Sequence, residues 1–342
     1  YDAASHPKAV ADHLGTEHHE LYLSESDALD VVPKLATIYD EPFADSSQIP
    51  TVLLSVLARQ NVVVSLSGDG GDELFGGYSR YVWTMRLWAK ISRIPKKLRS
   101  SVGAGMKVMP PQIAASLGRM VNYCLPARLR VRNPSDKAAL VREILLASSP
   151  AEVYRTLIGH WKRPCALLMR PECVDSNWHP FPSSLSADPW VDMMTTDLQQ
   201  YLPDDILTKV DRTSMSVGLE IRVPLLDHRL VELAWRLPLH MKIRNGQSKW
   251  VLRRILEDMV PASCWDRPKM GFGVPLGSWL RGPLRDWSES LLDESRLNRE
   301  GIFRVKPIRR TWERHLAGNV DHGAYLWNIL MFQSWMESRG SR

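Results

Sequence analysis

Apolar positions along this chain follow two periods, and the change from one to the other marks its organisation. Val62-Val63-Val64-Ser65-Leu66 is a continuous β-branched run, which predicts a short buried strand. Around it the spacing is helical. Ala4, Ala9, Val10 and Leu14 predict a helix stopped by Gly15, and Ser24 is placed to cap a helix running through Ala28, Val31 and Leu35. Glu17 to Leu23 reads as a short strand between them, and Asp40 to Pro50, rich in turn formers and acids, as a loop. Thr51 to Arg59 predicts a helix with a broad apolar face that delivers the chain to the Val62 strand. Helices alternating with strands over such connections favour parallel βα units over hairpins.

Beyond Tyr78 the strand period almost vanishes. Residues 80–188 carry helical patterns broken by prolines, and Trp190 to Gly218 is helical again, with Asp192, Asp197, Asp204, Asp205 and Asp211 along it. Asp227 is placed to cap a helix through Arg236; Gln247 to Met259 predicts another, and Ala324 to Glu337 the last.

Composition adds little to this outline: at 342 residues with 24% charged positions the chain is an ordinary globular sequence of one or two domains. No apolar run reaches the roughly 20 residues of a membrane span, and no signal pattern opens the chain, so a cytoplasmic location is the expectation. Cys124, Cys165, Cys173 and Cys264 show neither CxxC pairing nor zinc spacing and read as buried thiols. Charge changes the picture more. Val82 to Pro134 holds eleven Lys or Arg and no acid, within a chain of net charge +6. Such a block reads either as a nucleic-acid or membrane surface or as solvated helix, and it lacks the aromatic interleaving of single-strand binders.

The densest candidate chemistry follows the Val62 strand, in Ser67-Gly68-Asp69-Gly70-Gly71-Asp72-Glu73-Leu74-Phe75-Gly76-Gly77-Tyr78. Three carboxylates lie beside glycines that allow close backbone approach, at the carboxyl end of a strand, where open α/β sheets bind ligands. There is no GxxxxGK[ST]; Glu73 stands where GxGxxG needs its last glycine; the acid spacing is not that of an EF-hand; and HExxH is absent. Adjacent His18 and His19 read as structural. Carboxylates at a helix start repel phosphate unless a cation intervenes, which points to Mg2+ held by one or two acids and phosphate oxygens. A capping role for Asp72 is the alternative, and it leaves Asp69 and Glu73 unexplained. Asp204 to Pro224 places Lys209, Asp211, Arg212, Glu220 and Arg222 on a helix and the loop after it, where ion pairing is the ordinary outcome. Lys249 opens a helix, where a cation opposes the dipole; it is either an exposed helix lysine or a functional one.

Together these segments make the chain resemble the synthetase domain of glutamine-hydrolysing asparagine synthetases. The resemblance rests on YDEPFADSS from Tyr39, SGDGGDELFGGY from Ser67, YLPDDILTKVDR from Tyr201, LEIRVPLLDHRLVE from Leu219, KWVLRR from Lys249 and RPKMGFGVP from Arg267. It is weakest over residues 85–188. It implies an α/β fold: a partial ATP-pyrophosphatase-like (adenine nucleotide alpha hydrolase-like) parallel sheet followed by a largely helical region. The divisions expected are 1–90 for the nucleotide-binding part, 91–189 for a variable basic helical segment and 190–342 for the helical part that completes the site. The implied reaction joins aspartate and ammonia, derived from glutamine in the full-length enzyme, at the expense of ATP. β-Aspartyl-AMP forms first and gives asparagine, AMP and pyrophosphate. By the same resemblance Ser67 and Gly68 contact ATP, Asp72 holds Mg2+ on pyrophosphate, Asp69 serves intermediate formation and the ammonia proton, and Lys249 stabilises charge at the phosphate. Some relatives carry Glu at the Asp69 position. Asp211 and Arg212 lie in a matching motif as a substrate or structural site.

Two departures shape a further expectation. Neither the SGGxDS pyrophosphate loop nor a Cys-initiated glutaminase domain occurs in these residues, so Tyr1 is expected to lie downstream of both, and residues 1–342 alone to be inactive. Amidation of another carboxylate such as a sugar acid, RNA binding or modification through the basic block, and a non-catalytic scaffold are the competing readings. Nucleic acid is not the expected partner, and a homo-oligomer is compatible with the sequence.

Overall fold

Among the described residues two three-residue strands form the sheet. The computed structural model describes residues 5–20, 22, 24–108, 134–159, 161, 164–170, 188–265, 273–318 and 320–340. β1 (Val64–Leu66) pairs in parallel with β2 (Glu220–Arg222), with Val64 opposite Glu220 and Leu66 opposite Arg222. The parallel pairing expected of the α/β class is therefore present, in a chain that is otherwise mostly helical. Two details differ from the sequence reading. Glu220–Arg222 is a strand, not loop. The Val62–Leu66 run is not buried: Val63 is 60% and Leu66 70% exposed. A strand is covered on both faces only where layers pack on both, and among the described residues this sheet has only two strands.

The chain divides into two compact units. The first comprises Tyr1–Tyr78, Met194–Val274 and Ser334–Arg342. In it Ser24 caps Glu25–Leu29 through a reciprocal capping box with Asp27. The helix expected to continue to Leu35 breaks and restarts as Val32–Ile38, because Pro33 lacks an N–H and its ring would strike the Leu29 carbonyl. Glu17 to Glu20 and Tyr22 are irregular, contrary to the strand expected there, while Leu21 and Leu23 lie outside the described residues. The Gln48–Asn61 helix leads to β1 and packs on Thr208–Met215, which leads to β2, so helix pairing and strand pairing reinforce one another. Asp197–Leu207 is wound as a π-helix around Pro203, whose carbonyl accepts from Thr208 Oγ1 at 2.8 Å. The wider turn accommodates a proline that an α-helix interior would not.

The second unit comprises Ser79–Met193 and Pro275–Gln333. Three of its helices, Ser79–Ile91, Pro134–Leu146 and Pro150–Ile158, meet in a core of Ile91, Ile144, Ala147 and Val153, and Lys96–Val108 packs on Pro134–Leu146. Elsewhere in this unit Trp312 and His315 are fully buried. His315 Nε2 lies 3.1 Å from the Gly277 carbonyl and its Nδ1 accepts from the His322 N–H, also at 3.1 Å. Burial, with the Arg281 charge beside it, lowers its pKa to about 4, so at neutral pH it is a neutral structural histidine. Cys165 and Cys264 are free thiols, and Cys124 and Cys173 lie outside the described residues.

Candidate active site at the end of the first strand

The acidic loop leaves β1 without a gap. The Ser67 N–H donates to the Arg222 carbonyl at 2.9 Å, extending the strand pairing by one residue. The Ser67 hydroxyl then donates to the Asp69 carboxylate, whose own N–H returns to Ser67 Oγ at 3.2 Å. Gly68 between them is exposed, with open space where a Cβ would stand. Gly70 turns the chain at φ +80° against Leu226, a conformation that a side chain there would strain. One helical turn, Gly71–Leu74, follows with Asp72 and Glu73 at its start. Leu74 and Phe75 anchor it in an apolar cluster with Ala234, against Trp235, Val251 and Leu252. The apolar end of the turn is buried, and of its two acids Glu73 is buried while Asp72 is partly exposed.

Asp72 Oδ1 stands 2.8 Å from Lys249 Nζ. Two backbone features hold the pair. The Lys249 N–H donates to the Phe75 carbonyl at 3.1 Å, stitching lysine to loop. A Cβ at Gly77 would fall on the Asp72 carboxylate and on Lys249 Cε, so the glycine leaves the groove in which the two side chains lie. Lys249 itself is left-handed, at φ +54°, just before the Trp250–Glu257 helix. A non-glycine residue in that region carries strain of about 1 kcal/mol or more, and such strain clusters at functional positions. The helix expected from Gln247 therefore starts three residues later. Asn245-Gly246 form a tight turn, closed by Arg244 and Gln247 exchanging backbone hydrogen bonds of 2.9 and 2.8 Å, and that turn sets the approach to Lys249.

Behind the pair, Glu73 is 1% exposed and accepts from the Tyr78 hydroxyl at 2.6 Å. Burial raises its pKa, and the neighbouring Asp72 and Asp197 charges add to that rise. Burial and the Glu73 charge likewise push the Tyr78 hydroxyl far above its ordinary value. Sequence reading assigned Glu73 no role; burial, which one sequence does not display, is what distinguishes it. A second cluster was also missed. Lys209 Nζ meets Asp45 Oδ2 at 2.6 Å and Ser47 Oγ at 2.9 Å. Burial opposes the Asp45 charge, but Lys209 and the Ser47 hydrogen bonds prevail and hold its pKa below the usual carboxylate value. The signal for this pair was present in YDEPFADSS and TKVDR, in which attention fell on Asp211 and Arg212 instead. Arg212, half-exposed, is ion-paired at 3.6 Å with both Asp40 and Asp211. Of the Arg267 motif, residues 267–272 lie outside the described residues.

Among the described residues no three His, Cys, Asp or Glu side chains converge on a cation position. One carboxylate, Asp72, in a groove left open by Gly77 beside the Lys249 ammonium could hold Mg2+ only with oxygens from elsewhere, such as phosphate. Nor does any described helix have the length and apolarity to cross a membrane.

The asparagine synthase family profile matches residues 1–337. A putative glutamine-hydrolysing asparagine synthetase of Mycobacterium tuberculosis is 33% identical over 329 residues, 96% of this chain and 47% of that protein. Asparagine synthetase [glutamine-hydrolyzing] 1 of Bacillus subtilis is 28% identical over 330 residues, 96% of this chain and 49% of that protein. A putative second asparagine synthetase of Methanocaldococcus jannaschii shares 46% identity over 99 residues, 29% of this chain and 19% of its own length. The chain thus spans about half the length of the first two relatives. With the profile matched over nearly its whole length, the chain belongs to the asparagine synthase family.

Proposed function

We propose that the Ser67–Tyr78 loop and Lys249 form the phosphate-handling part of a carbon–nitrogen ligase that converts a carboxylate to its amide with ATP and ammonia. The acceptor we assign is the side chain of aspartate. The observation that carries the reading is the Asp72–Lys249 pair, set across Gly77 and fixed by a strained lysine backbone. A free carboxylate resists amines because it is anionic and has no leaving group. Attack of a carboxylate oxygen on the α-phosphorus of ATP expels pyrophosphate and gives an acyl-adenylate; ammonia then adds at the acyl carbon and AMP leaves.

Each residue has a part in that sequence. Lys249 leaves Asp72 for the phosphate oxygens, where its ammonium offsets the negative charge that builds as pyrophosphate departs. Asp72 then provides the carboxylate for Mg2+, which supplies neutralisation of the polyphosphate when bound. Asp69, held by Ser67, is positioned to accept the proton that ammonia loses on attack, and Ser67 with Gly68 lines the nucleotide. Asp211 and Arg212 are assigned to the wall of the acceptor site.

The test is pyrophosphate release by the protein at its full natural length, with ATP, ammonia and a panel of carboxylates. Aspartate should give an amide product and AMP in equal amounts, and Asp72→Asn should remove both. Release with a sugar acid but not with aspartate would reassign the acceptor, and product formation undiminished in Asp72→Asn would refute the site.

A further inference from the structure

The basic stretch from Val82 has no part in the site above. In the second unit it supplies most of the Ser79–Ile91 helix, a short link and the Lys96–Val108 helix. One side of that second helix is committed. Arg99 is 6% exposed, donates to the Ala147 carbonyl at 2.7 Å and lies over the Trp88 ring at 5.8 Å. A Cβ at Gly103 would stand 2.8 Å from the Leu146 side chain, so the helix is pressed close there. With Arg99 and Gly103 turned inward, the rotation of the helix is set, and Leu98 and Val102 cannot turn in with them.

Those two, four residues apart on one face, are 56% and 48% exposed, and Ile94 just before the helix is 37% exposed. Arg93, Lys96 and Lys97 around them are exposed, and among the described residues none is ion-paired. Lys96 acts on Glu152, whose pKa is lowered against its burial chiefly by hydrogen bonds from Ser148, with the Arg155 and Lys96 charges adding less. Over Val82 to Pro134 the chain places eleven cations and no carboxylate. An ordinary solvated surface mixes signs and does not leave aliphatic side chains in a row. Nucleic acid would use the cations but not the aliphatic row, since Ile94, Leu98 and Val102 have no ring on which a base can stack. A bilayer with anionic headgroups uses both: phosphates and carboxylates for the cations, the acyl boundary for the row.

We propose that the start of the Lys96–Val108 helix docks on an anionic lipid surface, with Ile94, Leu98 and Val102 entering the headgroup boundary and Arg93, Lys96 and Lys97 meeting the lipid charges. The surface is peripheral and reversible, and it lies apart from the Asp72–Lys249 chemistry in sequence and in unit. The experiment is co-sedimentation of the full-length protein with phosphatidylcholine vesicles, with and without phosphatidylserine, at increasing salt. Binding should require phosphatidylserine and fall with salt. Lys96→Gln with Lys97→Gln should lower the partition coefficient roughly 25-fold, about fivefold per charge. Leu98→Ser should weaken it at every salt concentration, and amide formation measured alongside should be unchanged in these variants. No binding to phosphatidylserine vesicles, or binding indifferent to the two lysines, would overturn the proposal. So would binding to RNA but not vesicles, unaffected by Leu98→Ser.

Discussion

Two lysine–aspartate pairs stand in the first unit, with nearly the same separation and opposite character. Asp45 and Lys209 meet at 2.6 Å with Ser47 as a third member, and both are well covered, at 21% and 10% side-chain exposure. Asp72 and Lys249 meet at 2.8 Å; Asp72 is as covered as Asp45, at 20%, but the lysine is 33% exposed, and Gly77 borders the pair. The first pair joins the loop before the Gln48–Asn61 helix to the Thr208–Met215 helix, with Asp205 a further 3.8 Å partner of the lysine. The second is anchored through backbone, and its lysine head is the more exposed of the two. Ion-pair distance therefore does not separate a strut from a site; what surrounds the pair does.

The sharpest way to break the comparison is to remove each lysine. Lys249→Met should lower the amide-forming rate by about 10²–10³-fold, as loss of a charge directed at a transition state does, with a smaller loss of stability than Lys209→Met because Lys249 is the more exposed lysine. Lys209→Met should do the reverse, costing about 3 kcal/mol in urea unfolding because Asp45 is left covered and unpaired. Equal effects of the two on both measurements would erase the distinction.

The next test concerns the groove. Gly77→Ala should displace the Asp72–Lys249 pair and cost about 10²-fold in kcat/KM, since a shift of about 1 Å in a catalytic group has that effect. Gly71→Ala is the control. Its methyl would meet the Leu225 side chain at 2.9 Å and Lys249 Nζ only at 3.6 Å, so less than about a tenfold loss is expected after Leu225 repacks.

The smallest effects are those of pH, and they carry opposite signs. Asp45 has a lowered pKa in the folded protein, so its contribution to stability is full above the unfolded value, near 3.8, and is lost as pH falls through the folded one. Asp45→Asn should remove that part of the acid sensitivity. Glu73 has a raised pKa, so the folded state holds its proton more tightly, and stability declines as pH rises from the unfolded value, near 4.5, through the folded one. Glu73→Gln, which still accepts from Tyr78, should raise the thermal midpoint above that window and leave it unchanged below. Unfolding midpoints measured across pH decide both.

Several elements were legible because their causes are local. Ser24 and Asp227 cap the helices that follow them, as short side chains that accept from nearby N–H groups do. The glycine run after a β-branched strand marks the acidic loop, and Asp72 and Lys249, both legible as candidates in the sequence, meet at 2.8 Å. Elements that depend on partners were misread. The Val62–Leu66 run was expected to be covered, and Glu220–Arg222 has strand structure only because β1 lies beside it. Lys249 was placed at the start of a regular helix, whereas the Asn245-Gly246 turn and the Phe75 carbonyl hold it left-handed.

By itself, then, the sequence determined which residue types stand together in the acidic loop, where helices are capped or broken, and where positive charge accumulates. These depend on neighbours within a few residues and on covalent limits such as those of proline and glycine. Only the tertiary structure decided that Lys209 closes on Asp45 while Lys249 lies open on Asp72, that Glu73 is buried, and that Leu98 and Val102 stay outside. Each of those outcomes depends on which distant segment covers a side chain, and coverage sets the local dielectric, the pKa and the cost of an unpaired charge.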